Sequence, residues 1–379
     1  MKKILFRKLL LDYLVFFLIA LMSTSVVIWV FQAVNYLDIM IEDGRDYLIY
    51  VKFSLLNFPK IVSKLYPFVL FFTIFYVTVK YELNNELIIF WNHGVNKIQI
   101  INIVFVFSIV LLIVQILLTS LIVPKAQDIA RSFLRLSTVN FLDNFIKQQK
   151  FNDTIKGITI YSDKKDKNGN LTNIYLKKEF GNKEFQITYA KSGKFKQIGS
   201  IPILVLNQGA TITSKNNEIT NISFSKSDFS LANLETNTAT YIKTQELSSY
   251  KIIKCINNFY KYNKTEFDQK NKSIENCSLK NINNIFKEFY KRFIIPIYIP
   301  LLSLIPLILI ASSKENLKYN RLRLHTFLTG FVIIILSESI SKFITENLSN
   351  NFLFLLIPLV LMIILYFYFI FNFKFRFKS

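Results

Sequence analysis

Residues 98–123 read IQIINIVFVFSIVLLIVQILLTSLIV, without one charged side chain, and Pro124 follows. In a helix rising about 1.5 Å per residue, about 20 apolar residues cross the hydrocarbon core of a bilayer. The stretch therefore predicts a membrane-spanning helix. Five more runs, residues 13–34, 65–79, 293–311, 326–341 and 352–373, are nearly free of charge. Four or five of the six runs qualify outright, and 65–79 is short. Counting it from Phe58, with Lys60 and Lys64 reaching back to the headgroups, gives it the needed length. Residues 125–290, by contrast, are as polar as a secreted domain. The whole chain of 379 residues is 52% hydrophobic and 16% aromatic, with a mean hydropathy of +0.34, too apolar for an ordinary soluble enzyme. The expected fold is an α-helical membrane protein with six transmembrane helices, three on each side of an inserted all-β domain. The expected boundaries are 1–123, 124–290 and 291–379.

Lys2, Lys3, Arg7 and Lys8 precede the first apolar run, as they would in a signal peptide. The run is about 22 residues long, however, and no small-x-small site closes it, so it reads as an uncleaved first span. Basic residues in short loops set orientation. They crowd the N-terminal tail, the loop 312–325 (Lys314, Lys318, Arg321, Arg323) and the C-terminal tail (Lys374, Arg376, Lys378). The loop after span one carries Asp38, Glu42, Asp43 and Asp46 against Arg45 alone. Six spans put both termini and the loops 80–97 and 312–325 inside, and 125–290 outside.

The formal net charge of +21 suggests nucleic acid, but the lysines are scattered rather than gathered on one helix or strip. Lys, Asn, Ile, Phe and Tyr are over-used together, the signature of an AT-rich coding sequence. No nucleic-acid partner is expected. His93 and His325 are the only histidines, so no metal site and no cofactor is expected. The two cysteines, Cys255 and Cys277, both fall in the external segment. They form either a disulfide or two unpaired small apolar side chains.

Pro124 is expected to end span three, with a helical lead-in over 126–149. Short β-rich runs follow at 157–161, 171–176, 185–189, 201–206, 210–213 and 219–224. Lys167–Asn170, Ser192–Gly193 and Asn216–Asn217 read as the turns between them. Such strands suggest a sandwich, a jelly roll or an open barrel-like sheet. Residues 255–285 read as a helical or loosely ordered return to the membrane. No phosphate-cradling, serine-hydrolase or zinc-protease motif occurs, so there is no catalytic residue to name. Energy for any driven process must come from a partner.

The layout of three spans, a large external β domain and three spans resembles the YjgP/YjgQ permeases, the LptF and LptG subunits of the lipopolysaccharide export ABC transporter. Residues 85–94, NELIIFWNHG, resemble that family's coupling segment in the first cytoplasmic loop. Val123–Ala126 resembles its exit from span three. Ala190-Lys-Ser-Gly193 and Leu206-Asn-Gln-Gly209 resemble its A-x-x-G and L-x-x-G strand-turn pairs, and the latter with Ile222–Asp228 lies closer to the LptF branch. Two departures stand out. Phe31–Asp38 lacks the basic residues common at the outer end of span one, and Asn92–His93 replaces the small residue before the coupling glycine.

The resemblance implies an inner-membrane permease, both termini cytoplasmic, with a jelly-roll-like periplasmic domain. Its implied partners are a second six-span permease, a cytoplasmic LptB-like ATPase dimer, LptC- and LptA-like bridge proteins, and lipopolysaccharide. It also assigns residues. Glu86 would offer a carboxylate to the ATPase, Gly94 would end the coupling helix, and Leu87, Ile88, Phe90 and Trp91 would be its apolar knobs. The alternative is an interfacial helix with Trp91 at headgroup level. On span five, Glu338 and Lys342 lie four apart. Either Lys342 meets a lipid phosphate with Glu338 setting its position, or the two form a self-neutralising interfacial pair. Ile160, Ile174, Ile187, Leu204 and Phe224 would line either a closed core or an acyl-chain groove, and the resemblance favours the groove. Two other classes fit the same layout less well: an ABC exporter of another lipid or of lipoproteins, and a membrane sensor or assembly factor that transports nothing.

Overall fold

A computed structural model describes residues 2–37, 47–136, 148–155, 158–166, 169–181, 184–198, 201–215, 218–230, 243–262, 267–268, 271, 274–346 and 348–375. Among them, six helical segments are long and apolar enough to cross a membrane: Lys2–Asn35, Tyr47–Leu83, Lys97–Phe133, Leu279–Ala311, Tyr319–Phe343 and Asn351–Phe373. Each contains one of the apolar runs. The chain divides into two compact units. One comprises Met1–Val30, Asn57–Asp128 and Ile242–Ser379, and the other Phe31–Leu56 and Ile129–Tyr241.

In the first unit, α1 (Lys2–Asn35) buries Leu9, Tyr13, Phe17, Leu21 and Ser25, one residue per turn. Its other faces expose Val15, Ile19, Met22 and Val26, a distribution suited to hydrocarbon rather than water. The buried stripe packs with α2 (Tyr47–Leu83) through Tyr66, Leu70, Ile74 and Val77, and with α4 (Lys97–Leu117) through Ile100, Ile101 and Val104. A short helix, α3 (Glu86–Asn92), joins α2 to α4. The segment after the β domain supplies α6 (Ser249–Lys261), α7 (Ile282–Phe293) and α8 (Tyr298–Leu304). Every residue of α8 is buried, so the fourth span is the centre of this unit. Pro296 and Pro306 open the 3₁₀ turns Ile295–Ile297 and Ile305–Ala311 that flank it. The last two spans are α9 (Tyr319–Phe343) and α10 (Leu348–Ile370).

Contrary to expectation, Pro124 does not end the third span. The helix passes through a π turn at Leu118–Ile122 and continues as α5 (Val123–Leu136). Proline cannot donate to the carbonyl four residues back, and a carbonyl left bare in a dry interior is costly. Here the Ser120 carbonyl accepts a hydrogen bond from Ser249 Oγ at 2.5 Å. The same device recurs at Pro67 inside α2, where Gln115 Nε2 donates to the Ser63 carbonyl at 2.8 Å. Side chains from neighbouring helices repair both breaks.

Cys255 and Cys277 form a disulfide with Cα atoms 6.0 Å apart. It fixes α6 to the chain entering α7, inside a cluster with Ile252, Phe267, Ile285 and Phe286 that also meets Ile340 and Ile344. Closing a loop with a sequence separation of 22 is worth about 3 kcal/mol on chain-entropy grounds. Reduction is therefore expected to lower the unfolding temperature of the full chain. The double variant Cys255→Ala/Cys277→Ala should start lower and ignore the reductant, in thermal unfolding followed with and without dithiothreitol.

The second unit carries an antiparallel meander in chain order: β1 (Asn152–Ile155), β2 (Ile158–Lys165), β3 (Asn170–Gly181), β4 (Glu184–Ile198), β5 (Ile201–Lys215) and β6 (Glu218–Ser230). The described strands thus follow the open-sheet alternative, with β1 and β6 as edges. Of the turn expected at Lys167–Asn170, residues 167 and 168 lie outside the described residues; Gly169, at φ +77°, donates its N–H to the Asp166 carbonyl at 2.9 Å. Asn216–Asn217 lies outside the described residues.

Two other expectations fail together. Ser192–Gly193 lies inside β4, and the runs 201–206 and 210–213 are one strand, β5. The glycines mark a crease, not turns. Ala190 is the register partner of Gly209, and Gly193 that of Leu206. Bridging pairs lapse between them and at the matching place in β2–β3, where Ser162–Ile174 is followed by Lys164–Thr172. Asn173 and Gln208, at φ 49° and 52°, sit on this line. The left-handed residue resets the two-residue alternation, so Leu171 and Ile174, three apart, are both buried. Gly209 is obligatory there, because a Cβ would lie 1.9 Å from the Tyr189 carbonyl oxygen. Ile160, Ile174 and Leu204 join the buried cluster, Phe224 packs at its margin, and Ile187 stays half-buried outside it.

Candidate functional site

Helix α3 lies at the same end of the helical unit as the first turns of α1 and Phe373 of the sixth span. Residue Asn85 precedes α3 in a left-handed conformation, and Gly94, at φ +66°, turns the chain out of it. The first turns of α1 grip both ends of this short helix. Lys2 Nζ donates to the Gly94 carbonyl at 2.7 Å, and Lys8 Nζ lies 3.9 Å from Glu86 Oε2. Lys97 adds a third hold. Its ammonium donates to the Ala311 carbonyl at 3.5 Å and lies 5.7 Å from the Trp91 ring centre and 5.5 Å from that of Phe373. On the neighbouring loop, the Lys314 N–H donates to Glu82 Oε1 at 2.8 Å.

This frame decides which side chains α3 presents. Leu87 and Phe90 are buried in the helical unit, where Phe90 meets Phe6 and Tyr81. Trp91 is half-buried beneath Lys97. Ile88 and Ile89 are 48% and 46% exposed. The outward apolar pair is thus Ile88–Ile89, and of the knobs expected from sequence only Ile88 faces out. A helix of seven residues offers one exposed face, and its periodicity alone does not say which.

At the far end of the spans, about 35 Å along α2 from α3 at about 1.5 Å per residue, a polar cavity of about 210 Å³ opens within the helical unit. Lys60, Ser63 and Lys64 of α2 line one wall, and Gln115, Thr119 and Gln127 of the third span another. Glu288, Lys291 and Arg292 of α7 and Glu338 of α9 complete it. Four cations thus face two carboxylates. Arg292 is 2% exposed and is held from every side. Its Nε donates to Glu288 Oε1 at 2.9 Å, Nη1 to the Leu247 carbonyl at 2.8 Å and to Ser249 Oγ at 3.0 Å, and Nη2 to the Gln245 carbonyl at 3.0 Å. Thr119 Oγ1 donates to the Arg292 carbonyl at 2.9 Å. Ser249 is the group that repairs the break at Pro124, so the arginine and the proline belong to one network. Lys60 Nζ donates to Gln245 Oε1 at 3.1 Å, while Lys64 and Lys291 are exposed at the mouth.

Of the pair expected on span five, Glu338 lines this cavity, while Lys342 is exposed one turn further on and is not part of the wall. Among the described residues no ion pair joins them. The cations of the cavity come from α2 and α7 instead. Sequence reading missed Lys291, Arg292, Gln115 and Gln127. Lys60 and Lys64 were visible, but only as residues lengthening a short span.

Over residues 7–372 the chain matches the family described as lipopolysaccharide export system permease LptF/LptG. It is also 25% identical over 195 residues, 51% of its length, to the uncharacterized protein RP871 of Rickettsia prowazekii (strain Madrid E), and the match spans about half (53%) of that relative. Six apolar helices, an inserted antiparallel sheet and a match over nearly the entire chain agree on one conclusion: the chain belongs to the LptF/LptG family of lipopolysaccharide export permeases.

Proposed function

We propose that this chain is a permease subunit of an ABC transporter that extracts lipopolysaccharide from the inner membrane and passes it to a periplasmic bridge. The LptF branch is the reading its β5 motif supports. Its partners in this proposal are a second six-span permease, an LptB-like ATPase dimer on the cytoplasmic side, and LptC- and LptA-like proteins outside. The disulfide supports placing the segment 243–293 in the oxidising compartment, and with it the opposite, α3 side in the cytoplasm.

The observation that carries the proposal is the basic cavity at the outer end of the spans. Lipid A phosphates are polyanionic, and charge–charge attraction strengthens as the surroundings become drier. Lys64 and Lys291 stand exposed at the cavity mouth beside Glu338, while Glu288 is engaged by Arg292. The variant Lys64→Glu/Lys291→Glu is expected to reduce photocrosslinking of lipopolysaccharide to the outer ends of α2 and α7 by about tenfold, about 1.4 kcal/mol. Lys342→Ala should reduce it less. Wild-type crosslinking and export in the double reversal would overturn the assignment of this cavity.

At the other end, Ile88 and Ile89 are proposed as the contact that receives the ATPase, with Glu86 at its edge. Replacing both isoleucines with aspartate places charge in an apolar contact. Copurification of the ATPase should be lost while insertion and thermal stability stay unchanged, since neither side chain packs inward. Glu86→Ala should have a milder effect, because part of its carboxylate is already taken by Lys8 and Asn84. Normal recovery of an ATPase with the double aspartate variant would remove α3 from the coupling role.

A further inference from the structure

The crease in the β sheet has a chemical consequence on the face opposite its buried cluster. Tyr161, Tyr175 and Tyr189 are register partners on β2, β3 and β4, so their rings form a row across the strands. The Tyr175 and Tyr189 ring centres are 5.1 Å apart, and Phe151 extends the row, 4.9 Å from Tyr161. Tyr189 is 49% exposed and Phe151 65%. Two residues along each strand from the tyrosines, on the line where bridging pairs lapse, stand Asp163, Asn173 and Lys191, with Gln208 beside them on β5. Tyr161 Oη donates to Asp163 Oδ1 at 2.9 Å, and Asn173 Nδ2 donates to Asp163 Oδ2 at 2.8 Å. Those bonds, Asn173 first, hold the Asp163 carboxyl below the usual carboxylate range. A trough of about 390 Å³ lies along the two rows, floored by Ile174, Ala190 and Gly209.

The two rows answer different chemistries. Aromatic rings offer π faces to apolar C–H surfaces. The second row supplies a carboxylate acceptor, an ammonium donor and two carboxamides that both donate and accept. A pyranose sugar presents that combination, with C–H patches on its ring faces and hydroxyls, each donor and acceptor, around its edge. The trough crosses β2 to β5, about 14 Å at about 4.8 Å per strand, a length suited to a short oligosaccharide. An extended peptide would pair along an edge strand instead of crossing the face, and an amphipathic helix would need an apolar groove without the polar row.

We propose that this trough binds the sugar chain of the lipopolysaccharide that the protein handles. The source of the sugar rests on the permease reading above, and the class of ligand rests on the two rows. Oligosaccharide released from lipopolysaccharide by mild acid, and so free of acyl chains, is titrated onto the full chain in nanodiscs by calorimetry. Saturable binding is expected, weakened about tenfold or more by Tyr189→Ala and by Tyr175→Ala. Tyr189→Phe should retain binding, since it keeps the ring. Unchanged protease resistance of the β unit establishes that the variants fold. Absence of oligosaccharide binding in the wild type, equal affinity in folded Tyr189→Ala, or a protein partner that docks on this face while the sugar does not would each overturn the proposal. The two readings separate cleanly. Tyrosine-dependent sugar binding with normal lipid crosslinking in Lys64→Glu/Lys291→Glu upholds the trough and overturns the basic-cavity assignment. The opposite pattern overturns the trough alone.

Discussion

Arg292→Leu is expected to be the most damaging single substitution in the helical unit. Leucine would fill part of the volume but leave the Glu288 carboxylate without its cation, and the Gln245 and Leu247 carbonyls and the Ser249 hydroxyl without their donor. Removing one partner of a buried ion pair costs about 3–5 kcal/mol, and the 20% exposure of the Glu288 side chain places this case toward the lower end. The loss would spread, since Ser249 also serves the Ser120 carbonyl that Pro124 cannot. Thermal unfolding in nanodiscs should show a large drop in stability for Arg292→Leu. Arg292→Lys should be intermediate, because an ammonium keeps the charge but cannot donate in a planar fork. Glu288→Gln should cost less than either, as the arginine keeps its three other acceptors. Arg292→Leu with wild-type stability would mean that the strap 243–249 is held by apolar packing and not by the guanidinium.

Gly209→Ala is expected to have the largest effect in the β unit. The added carbon would lie 1.9 Å from the Tyr189 carbonyl oxygen and 2.7 Å from the Phe224 ring. The first contact is with the backbone of the paired strand, which cannot rotate aside as a side chain can. Overpacking a close-packed site typically costs about 1–3 kcal/mol. Here the strands must also part at the Ala190–Gly209 pair, so the cost should reach or exceed the upper end of that range. Limited proteolysis should cut the β unit of the variant, while the helical unit, scored by retained disulfide and membrane insertion, stays intact. Gly94→Ala makes a useful contrast. Its nearest contact would be Lys2 Nζ at 3.8 Å, so only the φ of +66° penalises it, by about 1–2 kcal/mol. A Gly209→Ala protein as protease-resistant as the wild type would show that the crease has room to open.

The glycines at 193 and 209 also show where local reading stops. Glycine between two apolar, β-branched runs signals a turn in a sequence, and Ser192–Gly193 satisfies that rule. The same absence of a Cβ permits two backbones to approach closely inside a long strand. Only the pairing of Ala190 with Gly209 and of Gly193 with Leu206 distinguishes the two uses. Pro124 gives the same lesson in a helix. A proline predicts a break because of the donor it lacks. Whether the break occurs depends on Ser249, 125 residues later in the chain, supplying that donor.

The sequence by itself determined the six spans, the polar insertion after the third, the β character of that insertion and the family. These follow from constraints that act on contiguous residues: hydrocarbon thickness sets the length of an apolar run, and the pleat sets the two-residue alternation of a strand. Tertiary structure alone decided the rest. It chose the disulfide over two free thiols, joined Ser249–Lys261 and Ile282–Phe293 to the other helices, and turned Leu87 and Phe90 inward while leaving Ile88 and Ile89 outside. It also gathered Lys60, Lys64, Lys291 and Glu338 around one cavity and left Lys342 beyond its wall. Each of these depends on which helix faces which, and that is settled by packing between segments as much as 278 residues apart, from Lys60 to Glu338. A one-dimensional pattern fixes what each segment can bury. Only the closed assembly fixes what it meets.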